Sequence, residues 1–295
     1  MTTVPVNLPS ILALDFDGVL CDGLVEYLAT AWQAYCQIWP VSADNLGIEK
    51  KGKGIAQNEN CMVSPPEWLP PDFYRLRPAI ETGWEMPILI RALLQGVKPE
   101  QIWARWGEIV REIADIERIS PQMVENTLDK TRDRLLETDV SRWLAMHQFY
   151  PGAIANLQRW LSSPAGEKPD TVTIITTKES RFVRQLLVRE GIDFAENQIF
   201  GKDARRRKGE ILKSLLRELP ATATIWFVED RLKTLQSIAS DPQLERIELF
   251  LADWGYNTDS DRQTARDSER LHLLSLETFS QPFSLWLPND YARSK

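Results

Sequence analysis

Histidine and cysteine are scarce in this 295-residue chain, with two of the first and three of the second. His147 and His272 lie beside no serine, cysteine or metal-ligand cluster, which excludes histidine-assisted nucleophile schemes and zinc sites. Each is expected to be structural. Cys21, Cys36 and Cys61 show neither metal-ligand spacing nor a paired framework, as expected for thiols in a reducing compartment. Positive charge is in deficit, 35 Lys and Arg against 42 Asp and Glu, and the net charge of -7 repels polyanions. A dedicated nucleic-acid partner is thereby excluded. No stretch approaches the roughly twenty apolar residues of a membrane span. The first residues also carry no basic region running into an apolar core, so a cytoplasmic protein with no membrane partner is expected.

What the chain has is core material: 43% of its residues are hydrophobic and its length admits two domains. The most informative stretch is Ile11-Leu-Ala-Leu-Asp15-Phe-Asp17-Gly18-Val-Leu20. Four apolar residues bounded by a turn residue read as a buried strand. Such a strand carries Asp15 and Asp17 to the carboxyl edge of a parallel sheet, where open α/β folds bind ligands. Gly18 turns the chain away immediately afterwards. One acid is then placed to attack and the other to handle protons.

Leu24 to Trp39 has helical spacing, with Pro40 as a stop. From 41 to 85, Lys50-Lys-Gly-Lys-Gly54 and prolines at 65, 66, 70, 71 and 78 disfavour regular helix through most of the segment. From Pro87 to about Met146 helical spacing returns. The second half differs: Val172–Thr176, Gln198–Phe200, Thr224–Val228 and Ile247–Leu251 are short apolar runs separated by helix-like segments. That alternation predicts a parallel sheet with right-handed crossovers, begun at Asp15 and completed only after residue 170. The long stretch between reads as an inserted helical domain, because compact domains rarely tolerate long structureless connections.

Asp15-Phe-Asp17-Gly18-Val19, Ile174-Ile-Thr176, Lys208 and Glu229-Asp230, in that order and spacing, resemble the four motifs of the haloacid dehalogenase-like superfamily of phosphohydrolases. The resemblance covers the first strand and about residues 150 to 280. The insert resembles that family's helical first-type cap in position and helicity only. The implied fold is α/β: a Rossmann-like parallel sheet core flanked by helices, residues 1–23 and 148–295, with a helical cap, 24–147, inserted after the first strand. The implied activity is magnesium-dependent hydrolysis of a small phosphorylated metabolite through an aspartyl-phosphate. A phosphomutase on the same scaffold, or a catalytically weak binding protein, are the alternatives.

The resemblance makes Asp15 the nucleophile. A carboxylate suits that role independently, being ionised at neutral pH without help from a base. It makes Asp17 the acid that protonates the leaving oxygen and then activates water, with its backbone carbonyl on the metal. The second acid distinguishes phosphoryl transfer from the carbon-halogen cleavage of the family's dehalogenases. Thr176 would donate to a phosphate oxygen, and Lys178, two residues on, is open between a substrate contact and a solvated turn cation. Lys208 would offset the mutual repulsion of nucleophile and phosphoryl group. Lys202 is its rival, and Arg205, Arg206 and Arg207 read as a solvated face or a phosphate lure. Asp15, Asp17 and Asp230 are the implied magnesium ligands, with Glu229 supplying a further oxygen directly or through water. Glu229 stands where the family commonly has glycine, and Thr234 where a later acid is usual. Arg75, Arg77 and the insert's tryptophans are read as surface charge and packing.

Overall fold

The structure, a computed structural model, describes residues 8–39 and 64–287. They fall into two compact units, divided between Asp22 and Gly23 and again between His147 and Gln148. In chain order the elements are β1 (Ile11–Leu14), β2 (Cys21–Asp22), α1 (Leu24–Ile38), α2 (Leu69–Leu76), α3 (Glu85–Leu94), α4 (Pro99–Glu117), α5 (Pro121–Ala145), β3 (Gln148–Phe149), α6 (Ala153–Ser162), β4 (Thr171–Ile175), α7 (Ser180–Arg189), β5 (Ile199–Phe200), α8 (Lys208–Glu218), β6 (Ile225–Glu229), α9 (Leu232–Ala239), β7 (Ile247–Ala252), α10 (Asp259–Arg266), β8 (Leu271–Leu274) and α11 (Leu276–Phe279).

The first unit is an α/β fold around a six-stranded parallel sheet of order β5-β4-β1-β6-β7-β8. All four residues of β1 are buried, as a strand paired on both edges requires. Ile11 is in register with Thr171 on one side and Ile225 on the other, and the Asp15 N–H continues the ladder onto the Val228 carbonyl at 2.9 Å. Because the strands run parallel, the residues just past β1, β4 and β6 emerge at one edge. β7 is buried along its whole length, and Ile225, Phe227, Leu249, Leu251, Leu235 and Ile211 form part of the apolar layer beneath the sheet. On the other face Trp226, Phe250, Phe283 and Trp286 pack with ring centroids 4.9 to 5.8 Å apart. A two-stranded antiparallel ribbon, β2 with β3, pairs Cys21 with Phe149 and Asp22 with Gln148.

The second unit is helical, α1 to α5. Its buried acids, Glu85 and Glu26, each accept hydrogen bonds from other side chains of the unit. Glu85 accepts from the Glu81 N–H at 3.0 Å, the Thr82 hydroxyl at 2.8 Å and the Trp106 indole at 2.7 Å. Glu26 Oε1 takes the Thr30 hydroxyl at 2.6 Å and Arg132 at 2.9 Å, and the half-buried Glu117 binds Arg91, Gln95 and the Trp39 indole.

Three readings of the sequence change here. A sixth strand, β8, was not anticipated because His272 interrupts its apolar run; it lies beside Glu248, 3.4 Å away. The proline-rich segment contains α2, whose Pro70 and Pro71 sit at the helix start, where a missing N–H costs nothing. Lys50–Gly54 lies outside the described residues. Cys36 is disulfide-bonded, against the expectation of unpaired thiols, whereas Cys21 is free and its thiol is pushed up chiefly by burial.

Candidate active site

The site is built from residues that follow strands. Asp15 is the first residue past β1, Thr176 the first past β4, and Glu229 and Asp230 are the last residue of β6 and the one beyond it. All four are buried. Ligand oxygens of Asp15, Glu229 and Asp230 lie within 4.8 Å of one another, so acids far apart in sequence share one small volume. Buried carboxylates repel at that range, and the arrangement persists only with a counter-charge.

Lys208 supplies it. Its ammonium stands 2.7 Å from Asp15 Oδ2 and 2.6 Å from Glu229 Oε2. Burial alone would lower a lysine, yet Asp15 and Glu229 together outweigh it and hold Lys208 well above its ordinary 10.5. Burial and the Asp15 charge push Glu229 up, against the pull of Lys208. Lys208 is the first residue of α8, where a cation is opposed by the helix dipole by about 0.3–1 kcal/mol. The two acids overcome that cost. Lys202 is exposed, and Arg205, Arg206 and Arg207 are exposed too; Arg206 folds back onto the Glu210 carbonyl. Of the two rival lysines, Lys208 is therefore the one at the site.

Asp230 is positioned by a loop that the sequence reading passed over. Its Oδ2 accepts the Tyr256 N–H at 2.8 Å, and its carbonyl accepts the Asn257 amide at 3.1 Å. Arg262 in turn binds Asn257 Oδ1 at 2.8 Å. Gly18, at φ +87°, and Gly255 flank the acid so tightly that a Cβ on either would come 2.3 Å from an Asp230 atom. The signal available was the Asp253-Trp-Gly-Tyr-Asn257 stretch directly after a buried strand, a polar, glycine-bearing loop at the carboxyl edge. Tyr256 also donates through its hydroxyl to Asp22 Oδ1 at 2.9 Å.

Asp17 does not belong to the three-acid cluster. Its carboxylate pairs with Lys178, 3.1 Å from Oδ1 and 3.4 Å from Oδ2, and both side chains are largely buried. Lys178 is thus no solvated turn lysine. The Thr176 hydroxyl oxygen accepts the Lys178 N–H at 3.2 Å, which leaves its own hydrogen to donate elsewhere. Arg75 pairs with Asp72 on the surface, and Arg77 lies over the Tyr27 ring, 5.3 Å from its centroid.

The cluster fits a hard divalent cation. Its donors are carboxylate oxygens, they converge, and Asp230 is held from behind by a main-chain N–H and by two glycines that admit no Cβ. Asp15, Asp230 and Glu229 are the residues that would hold it, although Glu229 already directs one oxygen to Lys208 and the other to the Arg231 N–H at 3.1 Å.

No protein-family model matches the chain, and no curated protein matches it. Among solved structures, a predicted phosphatase from Clostridium acetobutylicum is 11% identical, covers 93% of this chain and 97% of its own, and superposes with a TM-score of 0.51. A candidate haloacid dehalogenase-like hydrolase from Bacteroides fragilis is 14% identical, with 91% and 98% covered and a TM-score of 0.50. At these identities the likeness concerns fold: the chain has the α/β fold of the haloacid dehalogenase-like proteins. Among the described residues no helix is long and apolar enough to cross a membrane.

Proposed function

We propose that this chain is a magnesium-dependent phosphatase that hydrolyses a small phosphorylated metabolite through an aspartyl-phosphate. One observation carries the reading: Asp15, buried at the end of the central strand, has Lys208 at 2.7 Å and shares its 4.8 Å cluster with Asp230 and Glu229. A structural aspartate has no need of two further buried acids beside it. The phosphatase assignment of the Clostridium neighbour agrees with it.

Bound magnesium would draw phosphate oxygens to the site and neutralise charge there. Asp15 attacks phosphorus through a carboxylate oxygen, and the bond from phosphorus to the ester oxygen breaks. Asp17 gives its proton to that leaving oxygen. Water then attacks the phosphorus, Asp17 takes the water's proton, and the bond from phosphorus to Asp15 breaks, releasing inorganic phosphate and the free carboxylate. Thr176 donates to a phosphoryl oxygen, and Lys208 offsets the charge that nucleophile and phosphate bring together. Positioning and charge neutralisation supply most of the rate.

The test is release of phosphate from p-nitrophenyl phosphate and a panel of small phosphate esters with magnesium. Activity is expected in the natural protein and a loss on the order of 10⁴-fold or more in Asp15→Asn. Equal release by both proteins, or none from either, overturns the proposal.

A further inference from the structure

We propose that Lys178 is a positioning residue for Asp17: its ammonium holds that carboxylate where it takes the proton of the water attacking phosphorylated Asp15. The inference rests on the hydrolysis just described and adds a residue to it.

Lysine is seldom buried unless paired, yet Lys178 is 8% exposed. Its ammonium spans both oxygens of Asp17, at 3.1 and 3.4 Å, which fixes the carboxylate in rotation as well as in place. The lysine's own main chain is anchored by the neighbouring strand's loop. Its carbonyl accepts the Lys202 N–H at 3.0 Å, and Asp203 Oδ1 accepts the Ser180 N–H at 2.8 Å. A Cβ at Gly201 would sit 2.5 Å from the Lys178 carbonyl and 2.4 Å from the Ser180 nitrogen, so only glycine permits this approach. Two lysines, Lys178 buried and Lys208 half-buried, therefore divide the acids between them: Lys208 faces Asp15 and Glu229, and Lys178 faces Asp17. A lysine serving the substrate phosphate alone would not explain a pairing with the proton-handling acid.

The division predicts a kinetic signature. With p-nitrophenyl phosphate the leaving group departs with little acid help, so formation of the aspartyl-phosphate is spared while its hydrolysis is slowed. In Lys178→Met, kcat and KM should fall together by roughly 10- to 100-fold, with kcat/KM within about threefold of the natural protein and a burst of nitrophenol becoming visible. Lys178→Arg should restore most of kcat. Lys178→Gln substitutes if the methionine variant aggregates. A raised KM with a lowered kcat/KM would make Lys178 a phosphate ligand and overturn the proposal, as would unchanged kcat.

A second readout needs no turnover. In metal-free protein, thermal melting of Lys178→Met, Asp17→Asn and the double variant should show the double variant melting higher than the sum of the single losses. Additive losses would overturn the pairing. If the natural protein hydrolyses no ester, the phosphatase reading falls and this cycle alone decides whether Lys178 holds Asp17.

Discussion

Both units bury carboxylates, and they do so for opposite ends. In the helical unit each buried acid is surrounded by donors: Glu85 by an N–H, a hydroxyl and an indole, Glu26 by Thr30 and Arg132. The hydrogen bonds these acids accept tie them to the fold of their own unit. In the sheet unit Asp15, Glu229 and Asp230 face one another, with Lys208 inserted between two of them. Like charges gathered in one buried volume are costly to the fold. The proposed function is what would require that cost, by drawing a cation and a phosphate to the acids.

The charge balance of the three-acid cluster depends most on Lys208. Lys208→Met strands Asp15 and Glu229 without a counter-charge and should lower turnover by about 10² to 10³-fold, with a loss of stability of about 3 kcal/mol in urea unfolding. The pH dependence has a definite sign. Folding holds the Lys208 proton more tightly than the unfolded chain does, so its contribution is complete below the ordinary 10.5 and is lost as pH rises beyond that value. Wild-type stability should therefore decline more steeply above pH 10.5 than that of Lys208→Met.

A smaller effect separates two left-handed glycines, one in each unit. Gly18→Ala adds a Cβ 2.3 Å from Asp230 Oδ2 at φ +87° and should cost about 10- to 100-fold in turnover through displacement of that acid. Gly96, at φ +81°, has nothing within 4 Å of such a Cβ. Gly96→Ala should cost only about 1–2 kcal/mol for the backbone conformation and leave turnover unchanged. Turnover is likewise preserved in Arg132→Met, which removes the ion pair to Glu26: about 3 kcal/mol of stability is lost, with aryl phosphate hydrolysis per folded molecule unchanged. A fall in turnover there as large as that of Gly18→Ala would erase the distinction between the two kinds of buried acid.

Asp15, Thr176, Glu229 and Asp230 were legible in the sequence because each ends a short apolar run, and a parallel sheet brings such ends to one edge. Lys208 was legible through the family resemblance, as the lysine at the start of the helix that leads to the fourth motif. The partner of Asp17 was not. Lys178 lies in a turn two residues past Thr176, and the direction of a turn side chain depends on the Gly201–Asp203 loop of another strand, a contact no local pattern encodes. The Gly255–Asn257 support of Asp230 carried a local signal, a polar, glycine-bearing loop directly after a buried strand, but its target on another strand is not written in that pattern. β8 was obscured by a histidine whose burial depends on Glu248 one strand away, and α2 by prolines whose effect depends on where in a helix they fall.

The β2–β3 ribbon has a consequence for how such a chain can diversify. Asp22 and Gln148 are paired neighbours across it, so the chain leaves the sheet unit and re-enters at a single gate. Whatever is threaded between them begins and ends at adjacent points, and the closure entropy of even a long insert grows only slowly with its length. A change in the length of the insert therefore leaves the ends of β1, β4 and β6 where the sheet holds them.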